Sequence, residues 1–467
     1  MSVGKPNRWL VFAVIASAVF MSNLDLWIVN VAFVDIGKDI GGSVSSLSWV
    51  LNAYAVTLAA LLVPAGRWGD RIGHRQVFLA GVALFTVASL LCALAPNLGL
   101  LVAARVLQAA GAAAQLPTSL GLLMAAVEPE RRTHAARQWS AVGALAAVCG
   151  PVLGGLLVAL DWRWVFIVNV PIGIAAVVLG ARMLPHPPAR EREPRPDLLG
   201  AALLTLGVAT LTGALVEAPD WGWTSGRVLG LLALAVAGST LFVWRCARHA
   251  HPILELHLLR VRRFAVANAG TFTFGAGFAI MLLSNSLWCQ EVWHYSALRT
   301  GLAMAPGPLM VPFVTQWSAR LVPRLGLGPF VAAGSLIFGV GLLWRVLNVS
   351  VTPSYVTDLL PSMLISGVGV GLALSSFIAA GATALPADRA ATASGTLNSG
   401  RQIASSLGVA VLVTLLAGSR SVVDQFRDGW WVGIALAVVS AVIGLGLLER
   451  RAPAAATART AVAAETS

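Results

Sequence analysis

Gly66-Arg67-Trp68-Gly69-Asp70-Arg71-Ile72-Gly73-His74-Arg75 decides how this chain is read. An apolar run from about Leu47 to Ala65 precedes it, and another from Val77 to Ala95 follows. At ~1.5 Å per helical residue, each run crosses a hydrocarbon core ~30 Å thick. The ten residues between them are expected to form a tight loop joining two spanning helices. Three arginines and one aspartate assign that loop to the cytoplasmic side, where basic residues are retained. Gly66, Gly69 and Gly73 permit close backbone approach and a sharp turn. Asp70 is placed to accept hydrogen bonds from the amides opening the next helix or from an arginine, and Arg71 and Arg75 to reach neighbouring helix ends.

Composition extends that reading to the whole chain. Of 467 residues, 57% are hydrophobic and 11% charged, and mean hydropathy is +0.80. Soluble domains carry about 25% charged residues, so this is an integral protein of a lipid bilayer. A net charge of +12 does not mark a nucleic-acid partner, because the basic residues sit in short segments between apolar runs. The strong preference for arginine over lysine points to a GC-rich bacterial genome, hence to a bacterial cytoplasmic membrane. Cys92, Cys149, Cys246 and Cys289 form no Cys-x-x-Cys pair and read as packing residues. The run from Trp9 to Phe33 is too long for a signal peptide and is expected to be a retained first helix.

Apolar runs at 9–33, 47–65, 76–95, 98–126, 137–160, 163–184, 198–216, 227–245, 264–288, 299–319, 327–347, 357–382, 392–418 and 429–448 predict fourteen transmembrane helices, an all-α fold. The expected organisation is a six-helix bundle (1–185), linker segments carrying two extra helices (186–263), a second six-helix bundle (264–449) and a disordered tail (450–467). An even number of spans puts both termini on one side. With that side cytoplasmic, its segments hold 23 of the 32 Lys and Arg and the external ones 7. Ala319-Arg320-Leu321-Val322-Pro323-Arg324-Leu325-Gly326 repeats the arginines and the glycine of residues 66–73, with Pro323 where Asp70 stood. The two halves are thus expected to be related copies in a 6 + 2 + 6 arrangement.

The spacing Gly-x-x-x-Asp-Arg-x-Gly-x-Arg at 66–75 resembles motif A of the major facilitator superfamily, a loop that latches the halves of those transporters. In the first run, Leu24-Asp25-Leu26-Trp27-Ile28-Val29-Asn30-Val31-Ala32 resembles the first-helix motif of fourteen-span drug/proton antiporters, with Trp27 where threonine is usual and Val34 where proline is usual. An ionisable residue inside a span costs several kcal/mol and is a functional candidate by default. Arg105, Gln108, Ala112, Gln115 and Ser119 recur at helical steps on one face, and a polar stripe is expected to line a cavity rather than face lipid. Arg105-x-x-Gln108-x-x-Gly111 resembles motif B. Gly143, Ala147, Gly150 and Gly154, with Pro151 and Gly155, make a smooth face for close helix contact. Gly150-Pro151-Val152-Leu153-Gly154-Gly155 resembles motif C, which accompanies antiport in that superfamily.

Together these resemblances imply a proton-coupled efflux antiporter for small amphipathic drug-like or antibiotic compounds, monomeric, needing no cofactor or metal beyond the proton gradient. Asp25 and Arg105 each lie seven or eight residues from one end of their spans, so both sit ~10–12 Å deep and can meet as a proton-coupling pair. Trp27, Asn30, Tyr54, Gln108, Gln115, Trp288, Asn398 and Arg401 are the expected substrate-cavity residues. No clearly buried acid occurs in the last six spans, so the substrate is expected to be neutral or singly charged. No P-loop, His-Glu-x-x-His or Gly-x-Ser-x-Gly occurs, and Gly367, Gly369 and Gly371 read as packing. A uniporter, an importer or a lipid-handling transporter of the same fold, and a membrane-embedded enzyme, remain the alternatives.

Overall fold

A computed structural model describes residues 8–128, 131–185, 195–348, 350–386, 390–418 and 420–448. Among these the chain is helical throughout, with no strand. In order come α1 (Arg8–Ile40), α2 (Val44–Ile72), α3 (His74–Ala93), α4 (Leu98–Ala126), α5 (Arg132–Val158), α6 (Trp164–Ile167) and α7 (Asn169–Met183). Then come α8 (Leu198–Trp221), α9 (Gly226–Arg248), α10 (Arg262–Leu287), α11 (Ala297–Met304), α12 (Pro306–Leu325), α13 (Gly328–Asn348), α14 (Leu360–Ala382), α15 (Ala390–Leu416) and α16 (Val422–Gly444). The tail at 450–467 and most of the Pro185–Asp197 linker fall outside the described residues.

Thirteen of the helical segments among the described residues are long and apolar enough to cross a membrane. The fourteenth span is α11 with α12, divided at Ala305. Pro306 has no N–H to return to the carbonyl of residue 302, and the Ala305 amide takes that acceptor in a tighter turn of 3.3 Å. The sixth span is divided in the same way into α6 and α7, where Pro171 removes the bond to the carbonyl of residue 167.

The stretch 66–75 departs from the loop expected of it. α2 continues through Asp70 and Arg71 to Ile72, and α3 begins at His74. Hydropathy marks where a helix leaves the hydrocarbon, not where it ends, so the charged residues form its last turns. The reversal falls on Gly73 alone, at φ 110° and ψ 127°, with its N–H bonded to the Gly69 carbonyl at 3.0 Å. A positive φ of that size is open to glycine and closed to β-branched residues. The repeat behaves alike: α12 runs to Leu325 and is capped by Gly326 at φ 76°. These two turns mark what we term the basic end of the bundle.

The two halves repeat each other's packing. α3 lies along α4 as α13 lies along α14; α2 packs on α4 as α12 packs on α14; and α1 on α5 and α7 matches α10 on α15 and α16. Across the halves, α2 meets α15, and α5 meets α11 with some contribution from α12, as a two-fold relation requires. The extra helices α8 and α9 form a hairpin, and α8 covers the seam between α2 and α15. Close backbone approach binds α13 to α14: a Cβ on Gly369 would lie 2.5 Å from the Phe338 amide. Gly369 is therefore a packing position, in line with the sequence.

Candidate functional site

Five elements of the first half meet around one carboxylate. α1 supplies Asp25, α4 supplies Arg105 and Gln108, α2 brings Val50 and Tyr54, α3 brings Ser89 and α7 brings Asn169. Asp25 and Arg105 are almost fully buried, at 0% and 1% side-chain exposure. Arg105 Nη1 donates to Asp25 Oδ2 at 2.5 Å and to Gln108 Oε1 at 2.6 Å. Its Nε donates to the Val50 carbonyl at 3.0 Å. Gln108 Nε2 donates to Asp25 Oδ1 and to Ser89 Oγ, both at 2.9 Å, and Asn169 Nδ2 approaches Asp25 Oδ1 at 3.5 Å. The guanidinium lies 4.1 Å from the Tyr54 ring centroid and 5.8 Å from that of Phe166. Removing two charges from water costs several kcal/mol each unless they are paired and hydrogen-bonded, and this network supplies both conditions.

A cavity of about 120 Å³ lies beside the pair, between the halves. Trp27, Asn30, Tyr54 and Arg105 line it from the first half, with Phe274, Phe278, Arg401 and Gln402 from the second. Trp27 meets Phe278 edge to face at 5.8 Å. Arg401 Nη2 donates to Asn398 Oδ1 at 3.2 Å. A larger space of about 400 Å³ is walled by Val63, Leu204, Phe242 and Phe272 on the flank formed by the extra helices. It carries no charged lining residue and does not touch the Asp25–Arg105 pair, so the smaller cavity has the chemistry.

At the end opposite the basic one, the halves are sealed. Ser286 Oγ donates to the Asn30 carbonyl at 2.8 Å, and Gln290 Nε2 to that of Val31 at 2.9 Å. The small face of α5 is pressed between two partners. Gly150 and Gly154 lie against Trp27 and Ile28 of α1, and Gly143 near Asn23. On the other side a Cβ on Gly155 would stand 2.7 Å from the Ala297 carbonyl of α11, while Gly301 abuts the backbone of Pro151.

A sequence model described as the Major Facilitator Superfamily matches residues 15–409. The chain belongs to the major facilitator superfamily. Among curated relatives, the "Multidrug resistance protein Stp" of Mycobacterium tuberculosis is 36% identical over 88% of this chain and 76% of its own length. The "Methylenomycin A resistance protein" of Streptomyces coelicolor is 32% identical over 86% of this chain and 84% of that one. Among solved structures, a bacterial homologue of the human drug peptide transporters superposes with a TM-score of 0.67 at 14% identity, covering 95% of this chain and 98% of that one.

Within this major facilitator chain, the motif A residues lie at the basic end. Asp70 pairs with His74 Nε2 at 3.2 Å within its own half, instead of taking the amides or arginine expected of it. Arg75 donates to the Ala181 carbonyl of α7, and Arg67 to the carbonyls of His251 and Pro252 at 2.7 and 2.9 Å. Arg67 thereby ties the end of α2 to the segment between α9 and α10. A helix end is within reach of Arg75, as the spacing suggests; among the described residues Arg71 makes no hydrogen bond or ion pair.

The polar stripe of α4 splits. Arg105 reaches the cavity, while Gln108 lies behind it, Gln115 donates to Ser22 Oγ of α1, and Ser119 Oγ accepts from Trp139 Nε1 at 2.9 Å. Gln108 and Gln115 therefore bind helices of the first half together and do not line the cavity. A one-helix periodicity identifies a buried polar face without saying whether a neighbour or open space confronts it. Trp288 is also absent from the cavity wall; it meets Phe426 edge to face at 5.2 Å and Trp430 in a tilted contact at 5.3 Å inside the second half. Asn398 sits one turn from the wall, where it holds Arg401. Arg345, near the end of the apolar run 327–347, is fully buried with its guanidinium 4.8 Å from the Trp430 ring centroid. Ser89 and Val50 were not anticipated: one serine in an apolar run and a backbone carbonyl carry no sequence signal.

Proposed function

We propose that this protein is a proton-coupled efflux antiporter that moves small amphipathic drug-like or antibiotic compounds out through the cytoplasmic membrane by alternating access. The observation that carries the proposal is the buried Asp25–Arg105 pair beside an inter-half cavity. A charge pair in the interior of one half is costly to keep for packing alone, whereas protonation of Asp25 removes the charge that Arg105 compensates. Arg105 also lines the cavity, so its release from Asp25 is felt where substrate binds. Proton loading at Asp25 and substrate occupancy thus act on the same guanidinium. That competition is what antiport needs, and it disfavours the uniporter and enzyme readings. The resistance names of the relatives support the same reading.

With the basic end cytoplasmic, as the retention of basic residues favours, the sealed contacts of α1 with α10 and α5 with α11 face outward. Rocking of the two halves about the cavity would open that seal and close the opposite side. The protein is proposed to work as a monomer in the bacterial cytoplasmic membrane, driven by the proton gradient without a further cofactor.

Proteoliposomes with an acidic interior test this. Labelled amphipathic compounds of a mixed panel should accumulate against their gradient, and a protonophore should abolish the accumulation. Accumulation indifferent to the protonophore, or chemical conversion of a compound without a gradient, would contradict the proposal.

A further inference from the structure

The cavity that would receive substrate has an uneven charge. Among its described lining residues there are two arginines and no aspartate or glutamate. Arg105 is neutralised from behind by Asp25 at 2.5 Å. Arg401 is not: its Nε is buried without a hydrogen-bond partner, and its Nη2 meets only the neutral Asn398 side chain at 3.2 Å. Among the described residues Arg401 makes no ion pair. Its stem packs where Gly275 leaves room, since a Cβ there would touch Arg401 Cγ at 3.4 Å.

A guanidinium facing a cavity without a counter-ion is unfavourably placed, and a bound anion would remove that cost. The planar fork of donors suits an oxyanion, which it can engage with two charge-assisted bonds. In the same cavity, Trp27 and Phe278 form an edge-to-face aromatic wall, which fits the faces of an aromatic ring system.

We infer that the cavity selects anionic aromatic compounds, with Arg401 binding the substrate's oxyanion and Trp27 and Phe278 holding its ring body. This deepens the transport reading and rests on it for the word substrate, but the binding preference stands on the cavity alone. A permanent cation would face Arg401 with nothing to offset it, and a neutral analogue would leave Arg401 uncompensated.

Three probes sharing one ring system isolate the charge: naphthalene-1-sulfonate, naphthalene-1-sulfonamide and 1-naphthylmethyl-trimethylammonium. Their binding to the purified full-length protein in nanodiscs is read by calorimetry. The sulfonate should bind at least about tenfold more tightly than the sulfonamide, and the ammonium most weakly. Arg401→Gln should erase the difference between sulfonate and sulfonamide, and Arg401→Lys, which keeps the charge, should retain most of it. Equal affinity for the three probes, no sulfonate binding, or an undiminished preference in a folded Arg401→Gln protein would overturn the inference. Sulfonate preference in a protein that shows no proton-driven accumulation would refute the antiport reading and leave the binding site standing. Protonophore-sensitive accumulation without sulfonate preference would do the reverse.

Discussion

Arg105 of α4 holds Asp25 of α1 across eighty positions of sequence, with Nη1 2.5 Å from Oδ2 and both side chains shut off from solvent. The pair ties together two helices of one half at the wall of a cavity shared with the other. Its members should therefore behave as a unit when substituted.

Arg105→Gln leaves a buried carboxylate without its cation, which costs about 3–5 kcal/mol. The double variant Asp25→Asn with Arg105→Gln removes both charges and should recover a large part of that loss. Thermal unfolding of the parent, Asp25→Asn, Arg105→Gln and the double variant, followed by tryptophan fluorescence, forms the cycle. Additive losses would mean that the pair contributes no coupling energy.

That Asp25 and Arg105 lie at one level was legible in the sequence, because a helix advances by a fixed rise and each residue sits a known number of steps from its span's end. What lies behind a polar face was not. Gln108, Gln115 and Arg105 share a stripe, yet only Arg105 reaches the cavity, since the packing of α1 and α3 against α4 decides the matter. Fourteen spans could be counted from apolar runs, while the breaks at Val168 and Ala305 needed attention to Pro171 and Pro306. The turn at Gly73 was flagged by its glycine, but its single-residue length follows from helical hydrogen bonds that continue past the hydrocarbon edge.

Gly73→Val forces a β-branched residue to φ 110° and should cost about 1–3 kcal/mol. Asp70→Asn gives up only a partly exposed pair with His74, so its stability should fall by less than about 1 kcal/mol. Both should still slow transport if the motif A end acts as a latch, with Gly73→Val the worse. Wild-type transport rates in both correctly inserted variants would remove that role.

Gly155→Leu places a side chain where Ala297 and Leu298 already stand. It should part α5 from α11 and open the sealed end. A cysteine introduced at Leu298 would then react with a membrane-impermeant maleimide several-fold faster than in the parent. Unchanged reactivity would show that another contact makes the seal.

Orientation is open to the same chemistry. In a cysteine-free background on intact cells, an impermeant thiol reagent should modify a cysteine at Asp220, near the end of α8, and miss one at His251, beside Arg67. Modification at His251 from outside would invert the topology.

Asp25→Asn tests the central claim most directly, because it keeps the size of the side chain and an acceptor for Gln108 while abolishing its charge and its titration. In proteoliposomes with an acidic interior, Asp25→Asn should lose protonophore-sensitive uphill accumulation of naphthalene-1-sulfonate while retaining downhill exchange of the same probe. If Asp25→Asn still concentrates that probe with the parent's dependence on ΔpH, the proton travels on another residue and the coupling role of Asp25 is wrong.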